Sequence, residues 1–194
     1  MKVVAFNGSP RRDGNTSILI GRVFDELKNA GIETEIVQLR GKKLPGCIAC
    51  YKCFKNLDKR CGVKNDDMNG CIEKMLEADG ILLGSPTYFS GMTPEMNALI
   101  DRAGLVGTAN GGLYKRKVGA AVTVARRAGS VSVFDALNHF FLYSQMLVPG
   151  SCYWNVSIGL SPGDVEKDDE GMNIMKVLGE NMAWLLKKVA QDAR

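Results

Sequence analysis

Short apolar runs alternate with helical patterns along this chain, and that alternation leaves few folds open to it. Residues 3–6 and 81–83 are continuously apolar and residues 118–124 nearly so, as expected for strands buried on both faces of a parallel sheet. Residues 33–39 alternate between polar and apolar, which is typical of a strand near a sheet edge, and residues 147–154 are assigned as a fifth strand. Five strands separated by helices predict an α/β fold in three layers, with helices on both faces of a parallel sheet.

The predicted helices have apolar residues spaced three and four apart. They cover residues 16–30, 68–78, 94–102, 130–144 and 171–191. Residues 104–117 are rich in glycine and are predicted to be irregular. Residues 41–65 have no clean period and are predicted to form a Cys-rich insertion in a single domain that covers residues 1–194.

Composition restricts the classes of partner. The 194 residues are 45% hydrophobic and 24% charged, which is typical of a soluble globular protein. The formal net charge is +4 without a dense run of Lys and Arg, so we expect no nucleic-acid partner. The sequence runs straight into a strand without a signal peptide or a long apolar span, so we expect a cytoplasmic protein with no membrane partner. Six cysteines in that setting favour metal or redox chemistry over disulfides.

The loop of residues 8–17, GSPRRDGNTS, joins the first strand to the first helix. Free N–H groups at a helix start and the helix dipole both favour an anion there. Hydroxyl, amide and guanidinium donors add to them, and these candidate phosphate ligands are Ser9, Arg11, Asn15, Thr16 and Ser17. Because the loop lacks both the Walker lysine and the G-x-G-x-x-G spacing, it favours a single terminal phosphate. The alternative is an ordinary capped helix whose arginines lie in solvent.

A strand order of 2-1-3-4-5, which is the flavodoxin-like order, suits a phosphate loop after the first strand and places ligands at the carboxyl ends of strands 1 and 3. The loops after residues 6, 83 and 124 are therefore expected to converge. The second of these loops has aromatic, hydroxyl and glycine residues suited to a flat ring, and its candidate contacts are Pro86, Thr87, Tyr88, Phe89, Ser90 and Gly91. The third contributes Arg126 and Gly129, which can close the far side of the ring. The alternative assigns the aromatic residues to the core or an interface and the arginines of the third loop to solvent.

These two motifs, with Asp66-Asp67-Met68 and Asp169-Glu170-Gly171, resemble the NADPH-dependent FMN reductase group of flavodoxin-like proteins nearly end to end. The resemblance implies bound FMN, with its phosphate on the first loop and its isoalloxazine ring on the second. It also implies NAD(P)H as a co-substrate, flavin-based electron transfer without catalytic side chains, and a homodimer or homotetramer. The one histidine, His139, lies in the middle of a predicted helix and is interpreted as structural.

Four cysteines of the insertion have the spacing C-x2-C-x2-C-x7-C, and they are Cys47, Cys50, Cys53 and Cys61. Thiols at such intervals on an irregular loop can turn inward on one iron–sulfur cube. The run resembles the iron–sulfur flavoprotein branch of the same family, which implies a [4Fe–4S] cluster that exchanges single electrons with a ferredoxin-like partner. Zinc, a thiol redox loop and a relic without metal are the alternatives.

The sequence therefore predicts an FMN-dependent oxidoreductase that moves electrons from NAD(P)H or a ferredoxin-like donor to a small-molecule acceptor. Two alternatives stay open: a clusterless NAD(P)H-dependent FMN or quinone reductase, and a flavin electron carrier that is not an enzyme. Among the remaining residues, Cys71 and Cys152 are expected to be buried, and Trp154 and Trp184 to be core or dimer contacts. The pair at residues 66–67 is expected to cap the helix that follows it.

Overall fold

The computed structural model describes residues 1–192, so the last two residues of the predicted domain, 193–194, lie outside the described part. The strands are β1 (Lys2–Asn7), β2 (Glu33–Gln38), β3 (Gly80–Pro86), β4 (Val118–Ala125) and β5 (Val156–Ile158). The helices are α1 (Asn15–Asn29), α2 (Lys52–Asn56), α3 (Met68–Glu77), α4 (Pro94–Ala109), α5 (Ser130–Tyr143) and α6 (Asp169–Asp192). A 3-10 turn at Asp164–Lys167 precedes α6.

The five strands form one sheet in the order β2-β1-β3-β4-β5, and every neighbouring pair is parallel. This arrangement confirms the predicted flavodoxin-like fold. Side chains that follow one another along β1 pack on opposite faces, as the two-residue period of a strand requires. Val3 and Ala5 belong to an apolar cluster with α1 and α6, whereas Val4 and Phe6 belong to a second cluster with α3, α4 and α5. Two buried layers therefore hold the sheet between its helices.

Helix α4 extends seven residues beyond its predicted end at residue 102, and the expected irregular stretch begins only after Ala109. The glycines that suggested a break are packing positions. A Cβ on Gly107 would lie 2.7 Å from a ring carbon of Tyr114, and one on Gly104 would lie 3.6 Å from the ring of Phe140. Glycine lets these aromatic rings approach the helix backbone closely without ending the helix.

The fifth strand was predicted at residues 147–154 but lies at Val156–Ile158 and has only three residues. In the predicted range only Leu147 pairs with the sheet, through an isolated parallel bridge to Val118. Pro149 has no N–H to donate to a ladder, which agrees with the absence of a strand around it. Pairing with β4 resumes at Thr123, opposite Val156.

Five side chains of the sequence analysis can be placed in this fold. Cys71 is buried, as predicted, but Cys152 is exposed because its segment is a surface loop and not a strand. Trp154 is 50% exposed and Trp184 is 61% exposed, so neither lies in the core, and the alternative expectation of a dimer contact stays a prediction. His139 is exposed on α5.

Of the helices within residues 1–192, none is both long and apolar enough to cross a membrane.

Candidate functional site

The loops after β1, β3 and β4 converge on one cleft at the carboxyl ends of the strands, as the sequence predicted. The loop after β5 joins them and forms a fourth wall. The residues that line the cleft are Ser9, Pro10, Arg11, Asn15, Thr16, Pro86, Thr87, Tyr88, Val124, Arg126, Gly159 and Leu160. Helix α1 begins at its edge, so the cleft is built where a doubly wound sheet places its ligands.

The start of α1 is suited to an anion. Gly14 occupies the N-cap position in an extended conformation, and no side chain caps the helix. The first N–H groups of a helix have no intrahelical partner, and they carry the positive end of the helix dipole. A Cβ on Gly14 would lie 2.9 Å from the Cβ of Arg11, so glycine allows the loop to fold tightly against the helix start.

Two buried hydroxyl groups in this cleft have no hydrogen-bond partner within the described residues. They are Oγ1 of Thr16 on α1 and Oγ1 of Thr87 after β3. A buried hydroxyl without a partner costs free energy, so its presence calls for a group that bonds to it. The two threonines come from the opposite walls on which a phosphate and a ring were predicted. Their unmet hydrogen bonds fit a polar ligand between these walls.

Arg11 and Asn15 connect the phosphate-loop wall to the wall after β5. Arg11 Nη1 donates to the carbonyl of Leu160 at 3.0 Å, and Asn15 Nδ2 donates to the carbonyl of Ser161 at 2.9 Å. The Gly163 N–H donates to Asn15 Oδ1 at 2.9 Å. The amide of Asn15 is therefore engaged with the neighbouring loop, whereas the exposed guanidinium of Arg11 keeps further N–H donors for a ligand.

A tight turn at residues 88–91 follows β3 and Thr87. The N–H and carbonyl groups of Tyr88 and Gly91 bond reciprocally at 2.9 and 2.8 Å, and both Phe89 and Ser90 have positive φ. Gly129, also at positive φ, lies where a Cβ would be 2.6 Å from Ser90 Oγ, so the loop after β4 packs against this turn. Phe89 is fully exposed at its tip.

The predicted site residues divide between the cleft and its surroundings. Eight of them lie among the lining residues already named, on the loop after β1 and the start of α1, on the segment that ends β3, and on the loop after β4. The others lie outside the lining, and they are Ser17, Phe89, Ser90, Gly91 and Gly129 together with the four predicted metal ligands. Sequence reasoning missed Gly159 and Leu160 because it placed the fifth strand too early. The alternating segment at residues 156–158, followed by the turn residues Ser161-Pro162-Gly163, was the signal available.

A second, smaller cavity lies between the Cys-rich loop and α4. All four cysteines of the predicted cluster motif line it, with Arg102 and the apolar side chains of Leu105 and Val106 opposite. Cys53 is buried, Cys50 and Cys61 are partly buried, Cys47 is exposed, and all four are free thiols. Across residues 1–192, no three His, Cys, Asp or Glu side chains converge closely enough for a single metal ion. Four sulfur donors around one cavity suit a cube-shaped cluster, whose ligands bind at separate corners.

The backbone of the Cys-rich loop is held in an unusual conformation. Four residues other than glycine have positive φ, between 50° and 61°: Ala49, Tyr51, Leu57 and Lys59. Each such residue costs on the order of 1–3 kcal/mol and persists only where the surrounding structure requires it. Burial raises the pKa of the Cys53 thiol, and the nearby Cys61 and Cys50 raise it further.

Arg102 and Asp66 form a buried ion pair beside this cavity. Arg102 Nη1 donates to Asp66 Oδ2 at 2.8 Å, and both side chains are 1% exposed. Nη2 of the same guanidinium donates to Cys61 Sγ at 3.1 Å. Burial alone lowers the pKa of Arg102, but the hydrogen bonds to Asp66 and Cys61 raise it above its ordinary value. The sequence analysis did not identify Arg102. The available signal was an arginine among the apolar positions of a predicted helix, next to Ala103 and three positions after Leu99.

The capping prediction for residues 66–67 holds only in part. Asp67 occupies the N-cap position of α3, but its side chain does not cap the helix and instead accepts the Lys43 N–H. Asp66 Oδ1 accepts the Met68 N–H at 3.1 Å, while its other oxygen bonds to Arg102. The buried guanidinium therefore competes for a carboxylate that the sequence assigned to the helix start.

Comparisons with known proteins agree with this fold. A family model described as NADPH-dependent FMN reductase matches residues 1–160. A protein named iron-sulfur flavoprotein from Methanocaldococcus jannaschii is 36% identical over 97% of this chain and 99% of its own length. A protein of the same name from Methanosarcina thermophila is 30% identical over 99% of this chain and 98% of its own length.

Solved structures share the fold at low sequence identity. A structure of RosB with bound 8-demethyl-8-formylriboflavin-5'-phosphate has a TM-score of 0.78 at 18% identity, covering all of this chain and 82% of that one. A flavodoxin from the domain Archaea has a TM-score of 0.62 at 18% identity, covering 96% of this chain and 99% of that one. Both likenesses concern the sheet and its helices.

Proposed function

This chain belongs to the NADPH-dependent FMN reductase family, a family of flavin oxidoreductases, and we propose that it binds FMN in the cleft and passes electrons through it to a small-molecule acceptor. The observation that carries this proposal is the pairing of an uncapped helix start with two buried hydroxyls that have no partner in the described structure. An anion at one end and a polar ring edge at the other satisfy both features.

In this proposal the phosphate lies at the start of α1, where Ser9, Arg11 and Thr16 surround it. The isoalloxazine ring lies against Pro86, Thr87 and Tyr88 on the other wall. FMN, when bound, supplies two-electron hydride transfer and one-electron transfer. The chain contributes orientation and charge: Arg126 lines the cleft on the ring side and is exposed, so it can meet a reduced, anionic flavin or an anionic co-substrate.

We further propose that the four cysteines hold a [4Fe–4S] cluster that exchanges single electrons with a ferredoxin-like donor. Two observations support it: four free thiols line one cavity, and relatives that match nearly the whole chain are named iron-sulfur flavoproteins. Residues 47, 50, 53 and 61 would hold the cluster, and the cluster would supply one-electron redox chemistry. The main competing function is a clusterless NAD(P)H-dependent reductase, which the name of the family favours.

A second copy of this chain is the partner that we propose for the apolar surface around α5. Its exposed side chains include Leu142, Tyr143, Tyr153 and Trp154, between 50% and 72% exposed. They flank the sheet edge at β5 and adjoin an open cavity of about 490 Å³ lined by Tyr153 and Trp154. A contiguous exposed apolar patch of this kind is typical of a protein interface.

The test of the proposed function is purification of the full chain without oxygen, followed by a visible spectrum and assays for flavin, iron and acid-labile sulfide. We expect one FMN per chain together with about four iron and four sulfide. A yellow protein without iron or sulfide refutes the cluster but leaves the flavin enzyme. A colourless chain that does not take up added FMN refutes the whole proposal. Steady NAD(P)H oxidation with a quinone, without reduction by a low-potential one-electron donor, favours the clusterless reductase.

A further inference from the structure

A buried guanidinium contacts the sulfur of one cysteine in the second cavity. The fork of Arg102 is fixed at three points, because Nη1 bonds to Asp66 and to the Pro45 carbonyl while Nη2 bonds to Cys61 Sγ. A buried charge is costly to remove from water, and it persists where its partners compensate for that cost. Asp66 compensates the charge and also determines which edge of the guanidinium faces the sulfur.

Cys61 is held from a second direction by Asn69 of α3. The Cys61 N–H donates to Asn69 Oδ1 at 2.7 Å, and Asn69 Nδ2 donates to the Cys61 carbonyl at 3.1 Å. Asn69 therefore fixes the backbone of this cysteine while Arg102 fixes its sulfur. Cys61 is the distant member of the motif, eight residues after Cys53, so it depends on such tertiary contacts for its position.

We propose that Arg102 is a positioning residue that holds Cys61 toward the cavity and raises the reduction potential of the iron–sulfur centre bound there. This inference rests on the cluster of the proposed function. No other arginine or lysine lines the cavity within the described residues, so the contact is specific to this side chain.

The direction of the effect follows from charge. A one-electron reductant such as dithionite adds one electron to the centre, and the cavity gains one negative charge. An N–H hydrogen bond to a ligand sulfur and a nearby positive charge both stabilise that added charge, more strongly in a buried site than in water. Arg102 therefore favours the reduced form, and its removal makes the potential more negative.

The experiment compares Arg102→Lys and Arg102→Gln with the wild type and with Arg60→Gln as the matched control. Arg60 precedes Cys61 directly, is exposed, and pairs with Glu73, so its replacement removes the same unit of charge without touching the sulfur. Each protein is purified anaerobically and assayed for FMN, iron and sulfide. The potential of the iron–sulfur centre is then measured by a redox titration followed by electron paramagnetic resonance.

We expect Arg60→Gln to match the wild type. Arg102→Gln is expected to keep FMN but either to lose iron and sulfide or to shift its reduction equilibrium at least about tenfold toward the oxidised form, a drop of about 59 mV for one electron. Arg102→Lys keeps the charge but lacks the planar fork, so its potential is expected to fall between those of the wild type and Arg102→Gln.

A potential in Arg102→Lys equal to that of the wild type, with full iron and sulfide, overturns the inference even where Arg102→Gln does not fold. Equal shifts in Arg102→Gln and Arg60→Gln also overturn it, because they reduce the effect to net charge. A wild type without iron and sulfide refutes the cluster of the proposed function itself. The two failures are therefore distinguished by the wild-type assay.

Discussion

Asn15 and Gly163 connect two walls of the cleft, the start of α1 and the loop after β5, although they lie 148 positions apart in the sequence. The Gly163 N–H donates to Asn15 Oδ1, and Asn15 Nδ2 returns a bond to the neighbouring Ser161 carbonyl. One amide at the start of α1 thereby holds the loop after β5 against the proposed phosphate site. The residue that the sequence assigned to the ligand also shapes the wall that encloses it.

We predict that Asn15→Ala weakens FMN binding about tenfold. The variant removes two hydrogen bonds worth about 0.5–1.5 kcal/mol each, so the loop after β5 is no longer held at the helix start. Titration of the apoprotein with FMN, followed by flavin fluorescence, measures the change. Asn29→Ala, at the exposed far end of the same helix, is the control and should bind like the wild type. Equal affinity in Asn15→Ala and Asn29→Ala contradicts this role.

Arg11→Ala is expected to weaken FMN binding by about 1.5–3 kcal/mol, the range for a hydrogen bond to a charged group. The variant loses a guanidinium that lines the cleft and the bond from that guanidinium to Leu160. The control is Arg12→Ala, which removes the same charge from the adjacent exposed position outside the lining. The same titration distinguishes them, and unchanged affinity in Arg11→Ala refutes the placement of this residue at the phosphate.

Thr16→Val should have opposite effects on the free and the bound protein. The Thr16 hydroxyl is buried without a partner within the described residues, so replacing it with a methyl group is expected to leave the apoprotein as stable or more stable. If FMN bonds to that hydroxyl, the variant binds FMN about tenfold more weakly. Urea unfolding of the apoprotein and FMN titration measure the two quantities. A variant that loses apoprotein stability but binds FMN normally shows a packing role only.

Acid should weaken the fold through Asp168. Burial raises the pKa of this carboxyl, but hydrogen bonds from the Gly171 and Ile158 N–H groups and from the Ser157 hydroxyl outweigh it and lower the pKa below its ordinary value. The unfolded chain then binds the proton more readily, so this stabilisation is present above the unfolded pKa, near 4, and is lost as pH falls through the folded pKa.

We predict that Asp168→Asn lowers the free energy of unfolding by about 1.5–3 kcal/mol at pH 7 and reduces its fall between pH 5 and pH 3. Urea unfolding at a series of pH values measures both effects. Asp169→Asn, at the exposed first position of α6, is the matched control and should keep the wild-type pH dependence. An Asp168→Asn curve parallel to the wild type at every pH disproves the assignment.

Trp154→Ser tests the proposed second copy. Removing a half-exposed aromatic side chain from the apolar surface should shift the native mass toward that of one chain, because such residues dominate interface energies. Light scattering coupled to gel filtration gives the mass. Ile36→Ser, which replaces a partly exposed apolar side chain on β2 at the opposite edge of the sheet, is the control and should leave the mass unchanged. A wild type that elutes as a single chain removes this proposal without touching the flavin site.

The elements that sequence predicted well are those with a strong local pattern. β1 and β3 are apolar on both faces, and α1 begins directly after a glycine-rich loop, so their positions follow from residues that are close in sequence. α4 and β5 were misplaced for the opposite reason. Position 107 requires glycine because the ring of Tyr114 packs against it. The position of the last strand depends on which residues of β4 are free to pair at the sheet edge.

By itself, the sequence determined the parallel sheet, because strands buried on both faces that alternate with helices leave few other arrangements. The loop after the first strand then favoured the flavodoxin-like strand order, and with it the convergence of three loops. Only the tertiary structure decided which distant residues contact each other in the cleft and in the cavity of the Cys-rich loop. Arg102 reaches Cys61 across 41 positions, and Arg11 reaches Leu160 across 149. Contacts at such separations depend on how packed helices and loops meet in space, and no local pattern of residue types encodes that meeting.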